Sequence, residues 1–180
     1  MNSQHGLTLI EVLIAVVVLA IGLLGIAGLQ SAALSNNLIS YQYTQASTLA
    51  QATIERMRAN RQGVLEGAYL LAANAGPPSA PVNCASVACS PTQQAKWDLA
   101  NIYAQLLPTP VPGPIAGNLQ NGPRGMLPGG RLSITCEGGC TDSSLRIVTI
   151  FWDVNRNNAA GTACTSGRDQ LRCLRLGYVP

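Results

Sequence analysis

Apolar residues fill the chain from Leu7 to Leu29, LTLIEVLIAVVVLAIGLLGIAGL, almost without interruption. A helix needs about 20 such residues to cross a hydrocarbon core, so the run predicts a membrane span. Its one charge is Glu11. A carboxylate at bilayer depth costs on the order of 3 kcal/mol, so it needs a reason to be there. Beyond Leu29 the pattern turns amphipathic. Ile39, Tyr43, Ala46, Ala50, Ile54 and Met57 recur at three- and four-residue steps, with Gln42, Gln45, Gln51, Glu55 and Arg58 on the remaining faces. No proline occurs before Pro77. Arg56, Arg58 and Arg61 suit the negative pole of a helix end, and Gly63 offers a cap. The pattern therefore predicts one helix from Leu7 to about Asn60, ~80 Å long at ~1.5 Å per residue. Its second half must pack on something other than lipid. Gly22, Gly25 and Gly28 line one side of the apolar half, where they either admit a neighbouring backbone or loosen the helix.

The stretch AGPPSAP at 75–81 breaks regular structure. Ser90-Pro91-Thr92-Gln93 has the form of a capping box with proline at the first helical position. A second helix follows from about Thr92 to Leu107, with Ala95, Leu99, Ile102 and Leu106 as its core face. Pro108 to Pro114 ends it, and Gly117 to Gly130 stays rich in glycine. Three strands close the chain. Leu132, Ile134 and Cys136 alternate with Arg131, Ser133 and Thr135. Glu137 to Cys140 makes a turn, Leu145 to Val154 reads as a central strand apolar on both faces, and Leu174, Leu176 and Tyr178 alternate with Cys173, Arg175 and Gly177. The fold class read from this order is α+β, an antiparallel sheet wrapped on the second half of the long helix.

At 180 residues the chain accommodates one globular domain plus the anchor. The 47% hydrophobic fraction overstates the core, since the anchor supplies much of it. Cys84, Cys89, Cys136, Cys140, Cys164 and Cys173 all follow the apolar segment, on the side that translocation exposes to an oxidising space. Disulfides are expected, and neighbours in sequence are preferred among the fifteen pairings that six cysteines allow, because each then closes a short, turn-rich loop. A zinc site competes on the Cys84/Cys89 and Cys136/Cys140 spacings, but these are not C-x-x-C pairs and no histidine follows the first few residues. No metal or cofactor is expected. The net charge of +3 comes from scattered arginines, which gives nucleic acid little support as a partner.

The leader MNSQHG ends in Gly6 and is followed by Leu-Thr-Leu-Ile-Glu. This resembles the class III signal of type IV pilins and pseudopilins. The resemblance implies cleavage between Gly6 and Leu7 by a prepilin peptidase, N-methylation of Leu7 by the same enzyme, and an assembly role for Glu11. The first mature residue is Leu rather than the usual Phe, and the leader lacks Lys and Arg, so the cue for orientation rests on the amino terminus and His5. The runs IGLLGIAGLQ at 21–30 and ERMRANR at 55–61 are together similar to the PilV-type minor pilins, and IFWDV at 150–154 less specifically so. That family implies a type IV pilin fold. It divides the chain into leader 1–6, membrane or fibre-core half 7–30, and head 31–180, with helix end 31–62, connecting region 63–130 and sheet 131–180. It implies a subunit that waits in the inner membrane with its head in the periplasm and then joins the pilus beside other minor and major pilins. There it would initiate or modify assembly near the tip, with consequences for adhesion and twitching motility. An adhesin or DNA-receptor head on the same scaffold is one alternative, and a minor pseudopilin of type II secretion is another.

Other candidate chemistry recedes on inspection. Asp153, Asn155 and Asn157 imitate the opening of a calcium loop, but Asn158 stands where the sharp turn needs glycine and Cys164 where the closing Glu should be. His5 is the only histidine and leaves with the leader, while Asp98, Asp142, Asp153 and Asp169 sit apart, so no catalytic set emerges. An enzyme is not expected. Arg168, Arg172 and Arg175 lack the interleaved aromatics of a nucleic-acid stripe.

Overall fold

One helix, α1 (Leu9–Ala59), takes up 51 residues of the chain. It is seen in a computed structural model that describes residues 8–79, 82–107, 127–154, 164 and 171–180. The chain forms two compact units, the first ending at Tyr41 and the second running from Gln42 to Pro180. In the first unit every described residue from Thr8 to Leu38 is exposed. Among the described residues α1 is the one helix long and apolar enough to cross a membrane. The helix continues unbroken through Gly22, Gly25 and Gly28.

The second unit is built on an antiparallel sheet in the order β1 (Arg131–Cys136), β2 (Arg146–Asp153), β3 (Leu171–Tyr178). β2 is central, which explains its run of β-branched and aromatic residues: both of its faces are covered, and it pairs along its length with both neighbours. Val148, Ile150 and Trp152 project to one face beside Leu132 and Ile134. Together they share a single core with Ala46, Leu49, Ala50, Ile54 and Met57 of α1. α3 (Pro91–Leu106) contributes Ala95, Leu99, Ile102 and Leu106 to the same core. The capping box forms as the sequence suggests, the Ser90 hydroxyl accepting from the Gln93 N–H and the Gln93 side chain accepting from the Ser90 N–H. The α+β reading holds.

The buried stripe on α1 includes Ala46, Ala50, Ile54 and Met57 as the sequence reading has it, but differs at its edges. Gln42, Leu49 and Thr53 are buried, while Tyr43 is 36% exposed. The steps 42, 46, 49, 53 and 57 keep one helical face inward, and Tyr43 falls at its edge. There its ring meets Trp152 edge-on at 4.9 Å. Thr53 settles inside because its hydroxyl donates to the Leu49 carbonyl at 2.7 Å.

Gly63 is not a cap. It lies inside a short helix, α2 (Arg61–Leu65), which the periodicity did not indicate. Asn60 ends the long helix and starts the short one: its Oδ1 accepts from the Gly63 N–H at 3.2 Å, and its Nδ2 donates to the Pro91 carbonyl at 2.8 Å. A Cβ on Gly63 would stand 2.6 Å from Asn60 Nδ2 and 2.9 Å from the Pro91 oxygen. Glycine is required there by close approach. Gly63→Ala should therefore cost about 1–3 kcal/mol, read as an earlier denaturation midpoint for the detergent-solubilised chain. An unchanged midpoint would mean that α2 and the start of α3 separate freely.

Leu71 adds an isolated bridge to the outer side of β1, exchanging backbone hydrogen bonds with Ile134 at 3.0 and 2.9 Å. The disulfides join Cys84 to Cys89, Cys136 to Cys140 and Cys164 to Cys173.

Candidate functional site

Thr8 precedes the exposed half of α1, its carbonyl accepting from the Glu11 N–H at 3.0 Å and the Val12 N–H at 3.3 Å. Glu11 thus sits in the first turn, where a carboxylate meets the positive pole of the helix. Around it stand Leu9, Ile10, Val12, Leu13 and Ile14, all exposed. Apolar surface this extensive exceeds what a soluble monomer shows and marks contact with lipid or other helices. A Cβ on Gly22, Gly25 or Gly28 would meet nothing within 4 Å, so within this chain no contact requires these glycines. Gly6, Leu7 and His5 lie outside the described residues.

A second polar constellation fastens the end of α1 to α3. Asp98 is 5% exposed and accepts three hydrogen bonds: from Tyr69 Oη at 2.5 Å, Gln94 Nε2 at 2.9 Å and Arg56 Nη1 at 3.2 Å. The Tyr69 hydroxyl accepts in turn from Asn60 Nδ2 at 3.2 Å. Burial, and then the hydrogen bond to the Asp98 carboxylate, push the Tyr69 phenol above its ordinary value, so it stays a proton donor. Burial raises Tyr103 as well, with its hydroxyl held by the carbonyls of Ala75 and Leu132 at 2.9 and 3.3 Å. An open cleft of about 380 Å³ lies over this cluster, lined by Arg56, Ala59, Asn60, Cys89, Pro91, Gln94 and Asp98. The arrangement is an ion pair with satisfied neighbours, suited to holding two helices together.

Sequence reasoning saw Arg56 only as a helix-end charge and Asp98 only as an isolated acid. The available signal was Gln94 and Asp98, one helical turn apart and able to bond to each other. Of the other carboxylates, Asp142 is exposed. Asp153 is 4% exposed at the end of β2, its N–H donating to the Pro128 carbonyl at 2.8 Å. Asn155, Asn157, Asn158, Arg168 and Asp169 lie outside the described residues. Arg172 and Arg175 stand opposite Trp152 and Thr149 in the β2–β3 register, on opposite faces of the sheet. Among the described residues no cluster of three or more His, Cys, Asp or Glu side chains could hold a metal.

Residues 1–27 match the prokaryotic N-terminal methylation motif, and residues 28–100 match a family model described as Tt1218-like, type IV pilin Tt1218. The second match takes in every residue of the Asp98 cluster. No curated protein and no solved structure matches the chain.

Proposed function

We propose that this chain, which carries the prepilin methylation motif and a type IV pilin region and so is a pilus subunit, works as a minor pilin of the PilV type. It enters the fibre in small numbers and initiates or modifies assembly near the tip, which in turn affects adhesion and twitching motility. The observation that carries this reading is the exposure of the apolar half of α1, from Leu9 to Leu29, in a helix that continues into the core of the head. Such a surface is covered by the inner membrane before assembly and by neighbouring pilin helices afterwards. Residues 1–6 are removed as a leader, Leu7 becomes the methylated amino terminus, Glu11 serves docking, and residues 31–180 form the head on the periplasmic side. The minor role rests on the PilV-like runs at 21–30 and 55–61.

Purified pili probed for this subunit should contain it at a small fraction of the major pilin. Equal abundance would make it a major pilin, and presence only in a secretion apparatus would make it a pseudopilin. Gly6→Val should block processing entirely, because the cut follows a small residue. The mass of the variant should then exceed that of mature wild type by the leader. A variant of mature mass would place the cut elsewhere.

A further inference from the structure

The turn that joins β1 to β2 holds an arrangement that neither pilus assembly nor simple cross-linking requires. Cys136, the last residue of β1, is opposite Arg146, the first residue of β2. Arg146 is 1% exposed, yet among the described residues no carboxylate pairs with it. Its Nη1 instead donates to Cys136 Sγ at 2.7 Å and its Nη2 to the Thr141 carbonyl at 3.2 Å, while Nε has no partner. Glu137 and Asp142, the acids nearest in sequence, are both exposed. Cys140, which carries the other sulfur, is an exposed residue in a turn in which Gly138 and Gly139 adopt φ of 72° and 97°. Both are glycines, so these two positions carry no side chain beside Cys140.

A buried guanidinium stabilises a thiolate far more than a disulfide sulfur, because only the thiolate carries a full charge. Exchange is faster when the departing sulfur is the better-stabilised anion. The two sulfurs therefore have separate roles: Cys140 is the one that can be reached, and Cys136 is the one that can leave.

The geometry points to the Cys136–Cys140 bond as a thiol–disulfide exchange site of the head, taking a dithiol reductant of the oxidoreductase kind. A thiolate of the reductant attacks Cys140 Sγ and forms a mixed disulfide. The Cys136–Cys140 bond breaks, and its electron pair stays on Cys136 as a thiolate held by Arg146. The second thiolate of the reductant then attacks its own sulfur in the mixed disulfide and releases Cys140 as a thiolate, which takes a proton from water. The reductant leaves oxidised and the turn is left with two reduced cysteines. Cys164 is also exposed and Cys173 half-buried, but among the described residues only Cys136 Sγ receives a guanidinium. Cys84 Sγ faces the Val82 carbonyl, and Cys84 and Cys89 are both half-buried. The inference does not depend on where in a pilus the subunit resides.

The full chain in detergent micelles, treated with limiting dithiothreitol and then alkylated for peptide mapping, tests this. Cys136 and Cys140 should be labelled about tenfold faster than the other four cysteines. Trapping with glutathione should leave the glutathione on Cys140. Arg146→Lys should retain much of the preference and Arg146→Met should lose it. Equal labelling of all three pairs, glutathione on Cys136, or an Arg146→Met chain that keeps the wild-type preference would each overturn the assignment. If Arg146→Met does not fold, the labelling order and the trapped sulfur in wild type decide alone.

Discussion

Arg56→Met should destabilise the head more than Asp98→Ala, although the two residues form one ion pair. The side chains are 37% and 7% exposed respectively. When Asp98 is removed, the guanidinium turns to water, and the Tyr69 hydroxyl can redirect its proton to the Arg56 carbonyl 3.4 Å away. The loss is then of ordinary hydrogen bonds, about 1–2 kcal/mol. When Arg56 is removed, the carboxylate stays buried with only the neutral donors of Tyr69 and Gln94. An uncompensated buried charge costs about 3 kcal/mol. Asp98→Asn in the Arg56→Met background removes that charge while keeping an oxygen for both donors, so the double variant should recover part of the loss. Denaturant unfolding of the full chain in micelles gives all three values. Equal costs for the two single variants, or a double variant no better than Arg56→Met, would show that the pair contributes through packing and not through charge.

The long helix, the second helix and the three strands were legible because each is written in local pattern. Alternation marks β1 and β3, an unbroken β-branched run marks β2, and a capping box opens α3. The misreadings share a cause. Gln42 and Thr53 are polar residues inside the core, and Tyr43 is an aromatic at its edge. Side-chain character alone cannot choose between helical faces that differ by one position. Asn60 escaped notice because its partner, the Pro91 carbonyl, is 31 residues away. The bridge between Leu71 and Ile134 and the Asp98 cluster depend in the same way on contacts that only the assembled head creates. At the amino terminus the balance is reversed. The motif around Gly6, Leu7 and Glu11 was plain in the sequence, while a single chain contains none of the helices that its apolar surface would meet.

Glu11→Ala should leave leader removal and membrane insertion intact while sharply reducing incorporation into fibres. The substitution removes the one charge from an apolar stretch, so insertion becomes easier by about 3 kcal/mol if it changes at all. Cleavage depends on the residues flanking Gly6, several positions away. Docking is different. On the cleavage and methylation proposed above, the new amine of Leu7 would remain cationic, and inside a helical bundle an unpaired charge of either sign is expensive. Glu11 is one turn from Leu7 and could neutralise its own amine, but then each subunit would arrive already satisfied and nothing electrostatic would favour its recruitment. Pairing with the amine of the neighbour relieves two buried charges only on docking. A tenfold loss of incorporation corresponds to about 1.4 kcal/mol, less than half of what one buried unpaired charge costs, so a loss of at least that size is expected. Glu11→Gln separates the alternatives, since it keeps shape and hydrogen bonding without charge and should fail nearly as badly as alanine. The measurement is the ratio of variant to wild-type subunit in purified pili, with the membrane pool quantified alongside. Normal incorporation of both variants would refute the pairing role, and a depleted membrane pool would move the defect from docking to insertion.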